Sequence, residues 1–274
     1  MGGEERMAGP RIIVCMKVVP KPEEVRINPE TKTLDRARAR SEINPPDLNA
    51  LEVALQLKEK WEGWVGVLSM GPPFFEPYLR LALAMGADAA YLLSDRAFAG
   101  ADTLATAYTL AKGIARIGNY DLVLCGEESS DGATGQVPAQ IGEWLGIPQV
   151  TYASSVELWP EDRRVKVRRE LAGGYEVVVV PLPAVVSVRV GVNEPRFLDP
   201  LRMDWADDLP LTVWSAKDLD VDPELVGSAG SPTIVAGISE AGTRERKREI
   251  LLGTPEEKAA ALVNRLRDLL RELL

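Results

Sequence analysis

The sequence contains no histidine and only two cysteines. The first absence removes Ser-His-Asp and Cys-His catalysis and most zinc sites. It also removes the side chain best suited to proton transfer near neutral pH. The second leaves no disulfide framework: Cys15 and Cys125 stand at the ends of predicted strands and read as two buried, reduced thiols. No apolar run approaches ~18–20 residues, so nothing predicts a membrane span. Positive charge is in deficit, with 32 Lys and Arg against 41 Asp and Glu, a net charge of −9. No Lys/Arg stripe is interleaved with aromatics, which argues against nucleic-acid binding. Residues 1–10 lack the apolar core of a signal peptide and read as a disordered leader. These absences describe a cytosolic protein that binds rather than one that performs acid–base chemistry.

What is present is a regular alternation. Short apolar runs at 11–17, 64–69, 89–93 and 122–125 read as buried strands. Helical patterns follow them at 44–61, 75–85, 102–117 and about 137–146. Pro45 and Pro46 fit a first helical turn, Asp102 an N-cap, and Gly86 and Gly118 helix ends. Strand–helix alternation predicts an α/β fold, a parallel sheet with helices on its faces. A small hairpin is expected at 26–34. After Gly146 the pattern turns β-rich, with strands expected at 150–158, 163–171, 175–180 and 184–190. Residues 204–235 show little periodicity and read as an arm lying on another chain. Thr254, Pro255, Glu256 and Glu257 then open a C-terminal helix, preceded by a solvated basic run at 244–248. The division expected is a leader at 1–10, a domain at 11–203, and an arm plus helix at 204–274.

The loop at 126–135 joins a strand to a helix through glycines, serines, a threonine and acids. A helix start of this kind offers free N–H groups and attracts phosphate. Ser130 and Thr134 add hydroxyls. The plain alternative is a capped helix with no ligand. The loop matches neither G-x-G-x-x-G nor G-x-x-x-x-G-K-[ST]. Its acids Glu127, Glu128 and Asp131 oppose a phosphate unless they face away or bind ribose hydroxyls. Ligands of open α/β sheets lie beyond the carboxyl ends of the strands. That rule gathers Met16 and Lys17, Ser69 to Gly71, Gly126 to Gly135, and the helix start at Asn44. Separately, the loop at 193–202 carries Phe197, Leu198 and Leu201, which either anchor a partner or tuck into their own domain.

Several motifs carry a resemblance. Val14-Cys-Met-Lys17, Ile43-Asn-Pro45 and Leu83-Ala-Met-Gly-Ala-Asp88 are three of them. Leu182-Pro-Ala-Val-Val186 followed by Asn193-Glu-Pro-Arg196 is the most specific. Over residues 11–274 the sequence resembles the β subunit of electron-transfer flavoproteins, including the Fix-type, electron-bifurcating group. The resemblance implies an adenine-nucleotide α-hydrolase-like core with a β-rich extension. It implies a partner α subunit that holds FAD at the interface, and an adenine nucleotide in the β subunit itself. In simple carriers that nucleotide is a structural AMP. In the bifurcating and Fix-type members it is a second FAD that takes electrons from NADH.

Carried onto this chain, the nucleotide meets Cys15, Met16, Lys17, Asn44, Ser69, Met70 and Gly71. It also meets Gly126, Ser130, Asp131, Gly132, Ala133, Thr134, Gly135, Gln136 and Val137. Glu170 matches a glutamate near the interfacial flavin. The short loop at 131–137 and the segment at 248–257 resemble the Fix-type proteins and favour FAD over AMP. Arg196, Phe197, Leu198 and Leu201 fall on the partner-docking loop. Acids stand there in place of the lysines that meet acyl-CoA dehydrogenases in the common carriers. The resemblance implies a dehydrogenase or quinone oxidoreductase as partner, with a ferredoxin-like acceptor. It implies oxidoreductase activity only within a complex, in the cytoplasm or at a membrane surface.

Overall fold

The computed structural model describes residues 9–21, 40–198, 200–234, 248 and 250–273. The hairpin expected at 26–34, most of the leader and most of the basic run lie outside the described residues. The chain divides into two units, Met1–Ile238 and Ser239–Leu274.

The first unit opens with β1 (Arg11–Cys15), β2 (Val18–Pro20), β3 (Ser41–Ile43), α1 (Pro45–Trp61) and β4 (Trp64–Met70). Next come α2 (Glu76–Met85), β5 (Ala89–Leu93), α3 (Thr103–Ile117), β6 (Leu122–Gly126) and α4 (Val137–Leu145). The β-rich part is β7 (Gln149–Trp159), β8 (Arg164–Leu171), β9 (Gly174–Pro181) and β10 (Ala184–Val188). Then come α5 (Pro200–Ala206), β11 (Leu211–Trp214), α6 (Ala216–Leu219) and a 3-10 turn at Pro223–Leu225.

Nine strands form one sheet in the order β11-β5-β4-β1-β6-β10-β7-β8-β9. From β11 through β7 every pairing is parallel, and β7-β8-β9 is an antiparallel ribbon. β2 and β3 pair antiparallel in a separate ribbon. The central strands are buried on both faces, so their sequences read as unbroken apolar runs rather than alternations. Ile12 and Val14 of β1 pack with Leu51 and Leu55 of α1 and Leu79 of α2. Ile13 and Cys15 pack the other way, with Ile114 of α3 and Ile141 of α4. β1 therefore leads to a helix on one face, while its neighbour β6 leads to a helix on the other. The crevice between their carboxyl ends is the topological switch point of the sheet.

The signals at the helix ends hold. Asp102 accepts hydrogen bonds from the N–H groups of Leu104 and Ala105, and Gly118 closes α3 at φ +63°. The reading of 204–235 as patternless needs correction. Residues 200–226 build onto the chain's own sheet, where β11 pairs with β5. Trp214 stacks on Tyr91 at 5.0 Å, and Leu219 and Val226 are buried. Arg80 gathers the preceding turn by donating to the carbonyls of Ala206 and Leu209. A four-residue edge strand is too short to show a period of two, which is why its sequence reads as irregular.

The second unit contains α7 (Pro255–Leu273). The Glu257 N–H donates to the Thr254 hydroxyl and the Thr254 N–H donates to the Glu257 carboxylate, a reciprocal capping box. Leu262, Val263, Leu266 and Leu270 are exposed along it. No helix among the described residues is long and apolar enough to cross a membrane.

Candidate functional site

The switch-point crevice is organised by the first turn of α1. Asn44 precedes that turn and is 1% exposed. Its amide nitrogen donates to the Glu128 carbonyl at 2.8 Å, and its amide oxygen accepts the Ser130 N–H at 3.0 Å. One buried side chain thus pins the loop that follows β6. Three residues on, Asp47 reaches into the gap between the strands. One carboxylate oxygen accepts the Lys17 N–H at 2.7 Å, the other the Gly126 N–H at 3.0 Å. A Cβ at position 126 would run into Asp47 and Pro46, so glycine is required there. Burial pushes the Asp47 carboxyl up to about 7, against the hydrogen bonds from Lys17, Asn44 and Gly126 that favour its ionised form.

The loop then turns on itself, with the Ala133 N–H donating to the Ser129 carbonyl at 2.7 Å. Ala133 and Gly135 take positive φ values of +46° and +63°. A Cβ on Gly135 would lie 2.8 Å from the Tyr152 hydroxyl. Among the described residues no side chain caps α4, so the N–H groups of its first turn stay available to a ligand, save at Pro138, which has none. The side chain of Gln136, at the N-cap, instead accepts the Thr103 hydroxyl at 3.0 Å.

The loop's acids are each accounted for. The Glu127 carboxylate turns toward β10, accepting the Val190 N–H at 3.0 Å and facing Arg189 Nε at 3.3 Å. Glu128 is exposed. Asp131 pairs with Lys17 Nζ at 2.6 Å, and Ser129 accepts from the same ammonium at 3.1 Å. Two of the three acids therefore turn away or carry a counter-ion, which removes most of the objection to an anionic ligand.

Other strand ends bring further sequence-predicted residues to this end of the sheet. Cys15 and Met16 are buried below the crevice. The hydroxyl of Ser69, at the end of β4, is buried and has no hydrogen-bond partner among the described residues. Met70 and Gly71 are half-buried, and the Gly71 N–H donates to Leu93 of β5. Gly132, Ala133 and Thr134 are exposed on the loop, and Val137 begins α4. A hydrogen bond that the Cys125 thiol donates to Cys15, then burial, pushes this thiol well up, so Cys125 lines the site as a neutral group.

Glu170 lies outside this group, on β8. It pairs with Arg189, whose Nε faces Glu127, so one arginine connects it to the base of the loop. On the loop at 193–198 Arg196 is held internally, by Glu52 at 2.8 Å and by Glu59. Phe197 is 96% exposed, while Leu198 packs against the core. The side chain of Leu201 lies outside the described residues.

Sequence reasoning missed Asp47, Glu52 and Asn49. Asn49 and Asn193 bond each other, Asn49 Nδ2 to Asn193 Oδ1 at 2.8 Å and Asn193 Nδ2 to the Asn49 carbonyl at 3.1 Å. The available signal was their place on the buried face of α1, where three polar residues interrupt an apolar stripe.

Fold and crevice together define a class, parallel α/β proteins with a polar site at a topological switch point. The model of the electron transfer flavoprotein domain matches residues 31–219. Electron transfer flavoprotein subunit beta of Clostridium acetobutylicum is 45% identical over 259 residues, 94% of this chain and 98% of that one. Caffeyl-CoA reductase-Etf complex subunit CarD of Acetobacterium woodii is 42% identical over the same shares. Protein FixA of Azorhizobium caulinodans is 40% identical over 261 residues, 92% of each chain. The chain belongs to the electron transfer flavoprotein family, alongside its β subunits and Fix-type members.

Proposed function

We propose that this chain is the β subunit of a heterodimeric electron-transfer flavoprotein of the bifurcating or Fix type, with FAD in the switch-point crevice. The observation that carries this reading is the braced loop. Asn44 and Asp47 hold residues 126–130 in place, and the loop ends at the uncapped start of α4. The residues present fit a dinucleotide. The orphaned Ser69 hydroxyl, the Ser130 and Thr134 hydroxyls and the α4 N–H groups supply donors. Gly132 and Gly135 let the backbone approach closely. Asp131, beside Lys17, is placed for ribose hydroxyls, and Lys17 for phosphate charge.

FAD bound there would accept hydride from NADH and release its two electrons separately, to the FAD of the α subunit and to a partner oxidoreductase. This chain's own residues act by holding and by electrostatics. Cys15, Met16 and Cys125 form an apolar floor that keeps water out. Arg189, between Glu127 and Glu170, adds fixed charge on the side toward β8. The relatives support a complex, since one is named for a caffeyl-CoA reductase-Etf complex. We assign oxidoreductase activity to such a complex in the cytoplasm, and docking on the α subunit to the segment after Ile238, with Phe197 facing a dehydrogenase or quinone oxidoreductase.

The test is a nucleotide count. The chain is purified with its α subunit, denatured, and the released nucleotides are separated by chromatography. Two FAD per heterodimer are expected. One FAD and one AMP would make this chain the structural subunit of a simple carrier. Replacing Thr134 by Trp should remove the β-bound nucleotide and spare the other.

A further inference from the structure

Asp47 is a buried, ionisable group whose titration the functional reading leaves unused. It is 6% exposed, yet it lies at the switch point and touches both strands that form it. Its two oxygens each accept a backbone N–H, one from Lys17, two residues beyond β1, and one from Gly126, the last residue of β6. Two donors on two oxygens suit a carboxylate. A neutral acid keeps one good acceptor and turns a hydroxyl toward the other N–H, which is then left facing a donor. The position of Gly126 sets where the loop begins, and the loop sets where the start of α4 stands. The Lys17 N–H sets the direction of the lysine that faces Asp131.

We propose that Asp47 is a positioning residue for the strand-end site: its carboxylate fixes the spacing of the β1 and β6 ends, and gaining a proton releases one of them and weakens the hold on the nucleotide. The proposal rests on the nucleotide reading above.

The surroundings place this change near neutral pH. Lys17, beyond β1, is the cation facing Asp47 and favours its charge, as do the hydrogen bonds from Asn44 and Gly126. Burial opposes them and brings the carboxyl to about 7. Cys15 of β1 and Cys125 of β6 lie on the floor, and Cys125 stays protonated. In the loop, Asp131 is paired with Lys17, and Glu127 with Arg189 beyond β10. β4 carries no charged residue. On α1 itself Glu52 is held by Arg196. Asp47 therefore changes its charge near neutral pH, and its ionised state is the one that closes both tethers.

The experiment measures the dissociation constant of added FAD for the nucleotide-stripped heterodimer from pH 8.5 to pH 6.0. The wild-type constant should be flat at high pH and rise by up to about tenfold per pH unit below the transition, the limit for one linked proton. Asp47→Asn removes the titration, so its profile should be flat and lie near the low-pH wild-type value. A flat wild-type profile overturns the proposal, and needs no variant to fold. So does a constant that falls with acidity, which would mean that charge repulsion by Asp47 outweighs its tethering. An Asp47→Asn protein that keeps the wild-type profile also overturns it. Absence of any FAD binding at pH 8.5 would instead refute the nucleotide reading itself.

Discussion

Glu52 and Arg196 show how a loop is fixed from a helix far away in sequence. The Glu52 carboxylate is buried, and burial works to raise it. Hydrogen bonds from the Arg196 guanidinium, Gln56 and the Arg196 N–H outweigh burial and hold it below its ordinary value. Such a group contributes stability that is present above its unfolded value of 4.5 and is lost as pH falls through the folded one. Arg196→Ala would strand the carboxylate without its partner. A fully buried pair broken this way costs about 3–5 kcal/mol, and the partial exposure of Arg196 reduces that to about 2 kcal/mol. Urea unfolding at pH 7 checks it, and a loss under about 0.5 kcal/mol would show that the clamp is idle. Asp47 has the opposite sign. Its raised carboxyl lowers stability as pH rises from 3.8 toward about 7. The ionised state that closes the crevice is thus the state that strains the fold.

At the scale of elements, β11 is the piece with the least support from its own sequence. It has one open edge, and its hold comes from pairing with β5, the Trp214–Tyr91 stack and Arg116 over the Trp214 ring. Trp214→Ala should cost about 2–3 kcal/mol, less than a fully buried tryptophan because the residue is half-buried. Thermal melting checks it, with a drop of several degrees expected. The same elements show what could be read in advance. Strands β5 and β6 and helices α1 and α3 announce themselves, because their ends carry prolines, Asp102 and Gly118, and their cores are continuous apolar runs. β11 does not, because four residues at an edge carry no period and their partner lies over a hundred residues back. In the site, the loop and Asn44 stood out as motif residues. Asp47 did not, because an acid in a first helical turn is ordinarily a solvated partner of the helix dipole, and only the sheet order shows that this one points between two strands.

For the whole molecule, the division into Met1–Ile238 and Ser239–Leu274 makes a direct prediction. A chain ending at Ile238 keeps β11 and every strand of the nine-stranded sheet. It should melt within about two degrees of the full chain and fail to co-purify with the α subunit. Full recovery of the heterodimer would place the docking surface elsewhere. Truncation at Leu209 is a poorer experiment, because it removes β11 from its own sheet and confounds folding with docking.

The place of β1 in the sheet order has a consequence for the chain as it is made. β1 is the first sheet strand to leave the ribosome, yet it lies between β4 and β6 and is covered on both faces. Its second neighbour begins at Leu122, about a hundred residues later. At synthesis rates of roughly 5–20 residues per second, Ile12, Ile13 and Val14 wait on the order of ten seconds for that edge to be filled. For that interval β4 and α1 already shelter one edge and one face of β1, while its other edge and face stand open to water.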